Sequence, residues 1–263
     1  MTTQPGRQAQ AQGQGHGQTK VLAIGHRGAA GHLAENTMPS FEKALALGAD
    51  GIEFDVALTR DGHAVVLHDD TLDRTTNGTG AIENVLLADV RSLDAGAWKG
   101  AAGARVPLLG EVLEAFAPRT TLNLEIKESP RRTLIVDACL GAVRAAGALP
   151  RVVFSSFDHE ALRILRRHER AARIGVLSVT GGLEQAMACA AELGAENLHP
   201  PLGLVNAAMV ARAHAAGLAV WTWTVNEPDD IRRALDAGVD GVFSDFPERV
   251  VAVRREWAAP ARS

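Results

Sequence analysis

The sequence predicts an α/β fold, a barrel of eight βα units, on three observations. Short β-rich runs alternate with longer Ala- and Leu-rich segments, eight such units can be counted, and 263 residues suit one barrel of roughly 250. The strands are expected at 21–25, 51–58, 121–126, 152–155, 173–177, 197–198, 218–224 and 241–243. Between them, Pro39, Pro228 and Pro247 stand where a first helical turn begins, because proline's fixed φ is already helical. Gly48, Gly217 and Gly238 stand where a helix ends and a positive φ is needed. The stretches "ALGADGIEFDV" and "DAGVDGVFSDF" repeat a helix end, a glycine stop and an Asp-Gly strand entry, as units of one barrel would.

One region interrupts the rhythm. About fifty residues separate His68 from the strand at 121, far more than a βα crossover requires. A helix over 109–116 accounts for part of it, and the remainder reads as an insertion at about 70–107, beginning with a polar, turn-rich stretch at 71–80. The expected organisation is therefore a disordered, Gln- and Gly-rich tail over 1–19, then a single TIM (β/α)8 barrel over 20–263 with a small insertion after the second strand.

Composition narrows the partners. The formal net charge is −4 with acidic and basic residues interspersed, so there is no basic stripe for nucleic acid and no polybasic cluster for an anionic membrane. A small-molecule substrate is the expected partner, and the oligomeric state is left open. No run approaches the roughly 18 apolar residues of a transmembrane helix. Cys139 and Cys189 form no CxxC motif and read as buried thiols. Together with a tail unlike a signal peptide, they point to the cytoplasm.

The chemistry begins on the second strand. Ile52, Phe54, Val56 and Leu58 alternate with Glu53 and Asp55, so the apolar set faces the helices and the two carboxylates face the barrel interior. Adjacent buried carboxylates repel unless a cation or a shared proton compensates, and a hard divalent ion is the natural resolution. The next barrel strand repeats the logic, sending Asn123, Glu125 and Lys127 inward. An inward Glu–Lys pair alone would be an ordinary internal ion pair; three acids from two strands favour a metal site.

His68 follows an Asp61-Gly62 turn and a short apolar run, which reads as a hairpin returning along the second strand. A two-residue loop would set His68 opposite Asp55 and a four-residue loop opposite Glu53, either way beside the carboxylates. His26 ends the first strand in a Gly-rich exit that brings it and Arg27 to the barrel mouth, with Gly28 and Gly31 leaving room for a ligand. Arg27 offers a fork suited to phosphate oxygens. Trp223 either walls the pocket or fills core. His199 follows the sixth barrel strand and is within reach of the mouth, but is left outside the expected site.

Five segments in order, "GHRGAAGHLAENTMPSFEKAL", "GADGIEFDVALTRDGHAVVLHDD", "LNLEIK", "WTWTVN" and "GVDGVFSDFPE", resemble the glycerophosphodiester phosphodiesterase family over about residues 21–250. The resemblance implies a TIM barrel with a small insertion, a divalent cation (Ca²⁺ or Mg²⁺) on Glu53, Asp55 and Glu125, and His26 and His68 as acid and base. It also implies that Arg27 and Lys127 contact phosphate, and that Asn36 of "ENT" binds substrate or organises the first loop. The implied reaction, a step of lipid and glycerol metabolism, is hydrolysis of a glycerophosphodiester to sn-glycerol 3-phosphate and an alcohol. Two alternatives are a lysophospholipase D-type activity on lysophospholipids and a non-catalytic barrel that binds a polyol phosphate.

Overall fold

Eight parallel strands close into a barrel in the computed structural model, which describes residues 20–259. The expected tail, 1–19, and the last residues, 260–263, lie outside the described residues. The strands are β1 (Leu22–Gly25), β2 (Gly51–Leu58), β3 (Ala64–Val66), β4 (Thr121–Ile126), β5 (Val152–Ser156), β6 (Arg173–Leu177), β7 (Asn197–His199), β8 (Ala219–Thr222) and β9 (Gly241–Ser244). They run β1-β9-β8-β7-β6-β5-β4-β2, and the pairing of β1 with β2 completes the circle.

The ninth strand, β3, is not a stave of the barrel. It pairs antiparallel with the end of β2, whose start pairs with β1. The long β2 thus rises above the rim that β1 reaches, and β3 covers the edge left free, as an exposed edge requires.

The hairpin's register overturns the sequence expectation. Val56 pairs with Val66, Ala57 with Val65 and Leu58 with Ala64, and the Thr59 N–H donates to the His63 carbonyl at 3.0 Å. The loop is therefore the three residues Arg60-Asp61-Gly62, neither two nor four, with Gly62 at φ +84°. This parity sets Leu67 against Asp55, whose carbonyl accepts the Leu67 N–H at 3.0 Å. His68 would then face away from the carboxylates, had the strand continued. It ends at Val66, and the bend at His68 turns the ring back to the mouth.

Nine α-helices of the described residues complete the fold: α1 (Met38–Ala46), α2 (Leu87–Val90), α3 (Leu109–Phe116), α4 (Arg132–Ala145), α5 (His159–His168), α6 (Leu183–Leu193), α7 (Ala207–Ala215), α8 (Pro228–Ala237) and α9 (Pro247–Trp257). Pro39 lies in the first turn of α1, and Pro228 and Pro247 open α8 and α9. Gly48, Gly217 and Gly238 take φ of +90°, +78° and +89° where the helices stop. The outward faces of β2 and β4 are fully buried in the main apolar core with Phe41 and Phe116. Phe41 meets Phe116 edge-on at 5.7 Å and lies tilted against Phe54 at 5.8 Å. Inside the barrel a smaller cluster of Ile24, Val153, Trp221 and Phe243 fills the interior.

The segment between β3 and α3 folds around its own cluster, where Leu72, Ile82, Val90 and Val106 pack on Ala57, Val65 and Leu67 of the hairpin. Cys139 in α4 and Cys189 in α6 are buried free thiols. No helix of the described residues is long and apolar enough to cross a membrane.

The repeated Asp-Gly strand entries do the same work twice. The Asp50 carboxylate accepts the Ala23 N–H of β1 at 2.9 Å, and the Asp240 carboxylate accepts the Val220 N–H of β8 at 2.7 Å. Asp50 is further paired with Lys20 and Arg254. Burial pushes its carboxyl up, but the Ala23 amide and the two cations outweigh it and hold it below its ordinary range. Its contribution to stability is complete above the unfolded-state pKa and is lost as pH falls through the lower folded-state value. Asp50→Asn is expected to lower stability by about 1–3 kcal/mol at neutral pH in urea denaturation. The gap to the wild type should close as the pH is taken below the carboxylate range; a gap that persists there would mean that shape, not charge, is responsible.

Candidate active site

The parallel register decides what meets at the C-terminal rim. Gly25 pairs with Ile52 on one side and Ser244 on the other, so His26, Glu53 and Asp245 occupy the next level together. On the far side of β2, Glu53 pairs with Asn123 and Asp55 with Glu125. Glu53, Asp55 and Glu125 consequently offer oxygens that all lie within 4.8 Å of one another.

This proximity is costly. Burial, then Asp55 and Glu125, raise Glu53 well above the usual carboxylate range, and burial followed by Asp55 pushes Glu125 up to about 7. Two bases offset part of the charge. Lys127 Nζ stands 3.0 Å from Glu125 and 3.8 Å from Asp55, and Arg27 Nε stands 3.3 Å from Asp55. The Arg27 contact is one of charge only, since Nε makes no hydrogen bond. Three buried, mutually repelling oxygen donors are a set that could hold a divalent cation.

Each histidine is held by a carboxylate. His26 Nδ1 lies 2.7 Å from Asp245 Oδ1 and His68 Nδ1 lies 2.7 Å from Asp69 Oδ1, which leaves both Nε2 atoms free to face the cavity. His26 Nε2 is 4.0 Å from Glu53. The carboxylates are themselves supported, but differently. Asp245 accepts the Asn226 amide at 2.7 Å. Asp69 accepts two bonds from Arg74 at 2.7 and 2.8 Å, and Arg74 also donates twice to Glu35 at 2.8 Å. Glu35 takes a further bond from Arg27 at 2.7 Å. Burial would raise the Glu35 carboxyl, yet the two arginines draw it down to about 2. An unbroken line of charge therefore runs from His68 through Asp69, Arg74 and Glu35 to Arg27.

The loop after β1 is shaped for this site at some conformational cost. Arg27 (φ 50°) and Asn36 (φ 57°) are the non-glycine residues with positive φ among the described residues. The turn at Arg27 aims its N–H at Glu53 Oε2, 2.8 Å away. Asn36 is buried; its amide donates to Asp55 Oδ2 at 2.9 Å and accepts the Asp55 N–H at 3.3 Å. The glycines of this loop do not make room for a ligand, as the sequence suggested. A Cβ on Gly28 would lie 2.6 Å from the Ser40 backbone, and one on Gly31 would lie 2.3 Å from the Phe246 ring, so both admit protein atoms.

The assembled groups line a cavity of about 500 Å³ including its open mouth. His26, Arg27, Glu53, His68, Asn123 and Glu125 form the polar side; Phe157, Leu177, Trp223 and Phe243 supply the apolar side. Trp223 walls this cavity, fixed by its Nε1–H donating to the His199 carbonyl at 2.8 Å and by an edge contact with Phe157 at 5.4 Å. Asn36 lies behind Asp55, with both ends of its amide engaged.

Several residues of the site were not anticipated from sequence: Asp69, Asp245, Glu35, Arg74, Asn226 and Phe157. Two had a readable signal. Asp245 holds in "DAGVDGVFSDF" the place that Asp55 holds in "ALGADGIEFDV", and Asp69 directly follows His68. Arg74 had none, because it lies in a segment without periodicity.

Comparison with known proteins gives one consistent result. The family model described as "Glycerophosphoryl diester phosphodiesterase family" matches residues 26–249. A glycerophosphodiester phosphodiesterase of Caldanaerobacter subterraneus subsp. tengcongensis is 38% identical over 241 residues, covering 90% of this chain and 99% of that one. A crystal structure from Silicibacter pomeroyi DSS-3 superposes with a TM-score of 0.84 at 33% identity, covering 91% of this chain and 94% of that one. A phosphodiesterase of Oleispira antarctica, solved with the product sn-glycerol-3-phosphate, has a TM-score of 0.80 at 30% identity, covering 88% and 95%.

Asn36 offers a direct test of the loop's construction. Asn36→Ala loses both bonds to Asp55, about 1–3 kcal/mol, and places a Cβ at positive φ without a side chain to compensate, roughly another 1–2 kcal/mol. Asn36→Gly loses only the bonds. In urea denaturation the alanine variant should be the less stable by about 1 kcal/mol or more; equal stabilities would show that the positive φ contributes nothing.

Proposed function

The chain belongs to the glycerophosphoryl diester phosphodiesterase family, and from that premise we propose a metal-assisted hydrolysis with His26 and His68 as the acid–base pair. It is an enzyme, a phosphoric diester hydrolase of this family. The substrate in this reading is a glycerophosphodiester, cleaved to sn-glycerol 3-phosphate and an alcohol. The observation that carries it is a cavity lined by Glu53, Glu125 and two histidines, with Asp55 clustered against the two acids and each histidine fixed at Nδ1 and free at Nε2.

Phosphodiesters resist attack because their oxygens are negatively charged. A divalent cation, Ca²⁺ or Mg²⁺, held by Glu53, Asp55 and Glu125 would neutralise that charge and stabilise its growth in the transition state. Arg27 and Lys127 supply further positive charge for the phosphoryl oxygens. Asn36 has its amide committed to Asp55, so its role in this reading is to hold that ligand.

In this reading the two histidine–carboxylate pairs, which are supported differently, take different roles. Asp69 already shares its charge with Arg74 through two bonds, so it does little to hold a second proton on His68. Asp245 has no hydrogen bond from an arginine or lysine; its other partner is the neutral Asn226 amide, so its whole charge is directed at His26 Nδ1. His68 is then the base, taking a proton from a water or from the glycerol 2-hydroxyl. His26 is the acid, delivering its Nε2 proton to the departing alkoxide.

Metal dependence is tested by following release of glycerol phosphate from glycerophosphocholine. EDTA should abolish it, Mg²⁺ or Ca²⁺ should restore it, and Glu125→Gln should blunt the restoration; undiminished turnover in EDTA would rule out the three carboxylates as a catalytic metal site.

The acid–base assignment makes its own prediction. His26→Ala and His68→Ala should each lower kcat by about 10²–10⁴-fold with the fold intact. His68 must be neutral to act, and burial lowers its pKa, with Asp55 opposing and Arg27 assisting. Activity should therefore rise with pH through a limb lying below the ordinary histidine value of about 6.5. A limb above pH 7 in the kcat/KM profile would show that His68 is not the base.

A further inference from the structure

The side of the cavity away from the carboxylates contains a polar group without an assigned role. His199 ends β7, is fully buried and lines the cavity, and neither ring nitrogen has a hydrogen-bond partner. The ring is held firmly. It stacks on Trp221 at 5.2 Å with the planes 9° apart and meets Phe243 edge-on at 5.2 Å. Its nitrogen edge lies over Gly175 of β6, where a Cβ would come within 2.6 Å of Nε2 and 2.3 Å of Cε1. Any other residue at 175 would displace the ring, so the barrel leaves out a side chain there to admit it. On the wall that carries Glu53 and Glu125, Asn123 donates to Ser155 Oγ at 2.8 Å while its Oδ1 is buried without a partner.

An imidazole placed only to fill core would be an expensive choice, since a buried polar group without a hydrogen bond costs roughly 1–3 kcal/mol and a phenyl ring would stack as well. Such groups ask for a ligand. Burial keeps the ring neutral by pushing its pKa down to about 3, so one nitrogen donates and the other accepts. That pairing suits an uncharged hydroxyl, which also donates and accepts. It does not suit a phosphate, whose charge is met by Arg27 and Lys127 among the carboxylates.

Resting on the reading of the substrate as a glycerophosphodiester, we propose that His199 is a specificity subsite that reads the terminal hydroxyl of the glycerol moiety. The hydroxyl next to the phosphate ester belongs near the catalytic pair. The terminal one is carried away from the phosphorus, toward the wall where His199 waits.

The test pairs a protein change with a substrate change, so that only their coupling counts. Wild type, His199→Phe and His199→Gln are assayed on glycerophosphocholine and on the diester in which propane-1,2-diol replaces glycerol, which removes the terminal hydroxyl alone. Folding is checked by thermal melts. The wild type should favour glycerophosphocholine in kcat/KM by about 10–100-fold. His199→Phe should lose that factor on glycerophosphocholine and almost nothing on the analogue, and His199→Gln should recover part of the preference. An equal loss on both substrates would assign His199 to packing, and no loss on either would leave it no part in recognition; each overturns the subsite. A wild type inert on both diesters would overturn the proposed activity itself, a result distinct from either.

Discussion

Three carboxylates within 4.8 Å of one another are the constraint around which the rest of this molecule is arranged. Like charges so close and so buried cannot all ionise without help, and the surrounding residues are the help: Lys127 and Arg27 by charge, Asn36 by hydrogen bonds to Asp55, the Arg27 amide by its bond to Glu53. Arg27 and Asn36, the two non-glycine residues at positive φ among the described residues, are both spent on this cluster. A divalent ion in the same place would complete a neutralisation that the protein carries out only in part.

The barrel supplies the geometry through one inequality of length. β2 extends beyond β1, so its acids emerge just where β1 stops and the chain turns into His26 and Arg27. The edge exposed by that excess is covered by β3, and the same hairpin delivers His68 and anchors the inserted segment. Arg74 then ties the insertion back to the first loop through Glu35. A single long strand thus sets two of the three clustered carboxylates, the second histidine and the support of the insertion.

Much of this was legible in the sequence because alternation along a strand is a local property. Glu53 and Asp55 opposite Ile52, Phe54 and Val56, and Glu125 between Leu124 and Ile126, declare their faces without knowledge of the rest of the chain. The helix stops at Gly48, Gly217 and Gly238 are equally local. The hairpin register was not, because loop length depends on whether Gly62 adopts a positive φ, and the expected direct facing of His68 and the carboxylates gave way to a bend. Asp245, Asn226 and Arg74 were hidden for a different reason. Their partners lie far along the chain or in an irregular segment, and only closure of the barrel brings them together. Gly28 and Gly31 show the same limit: the sequence marks a need for space but not which atoms fill it.

The pairing of β1 with β9 has a consequence for how the protein comes into being on the ribosome. His26 emerges early, with Glu53, Asp55 and His68 soon after, but Asp245, which fixes the His26 ring, is among the last parts of the fold to be made. A nascent chain that has reached β8 already carries every proposed ligand and both histidines, yet the ring of one of them is still untethered. The tether of the His26 ring is therefore missing until the circle of strands shuts, and the final stave supplies at once the closure of the barrel and the carboxylate that fixes that ring.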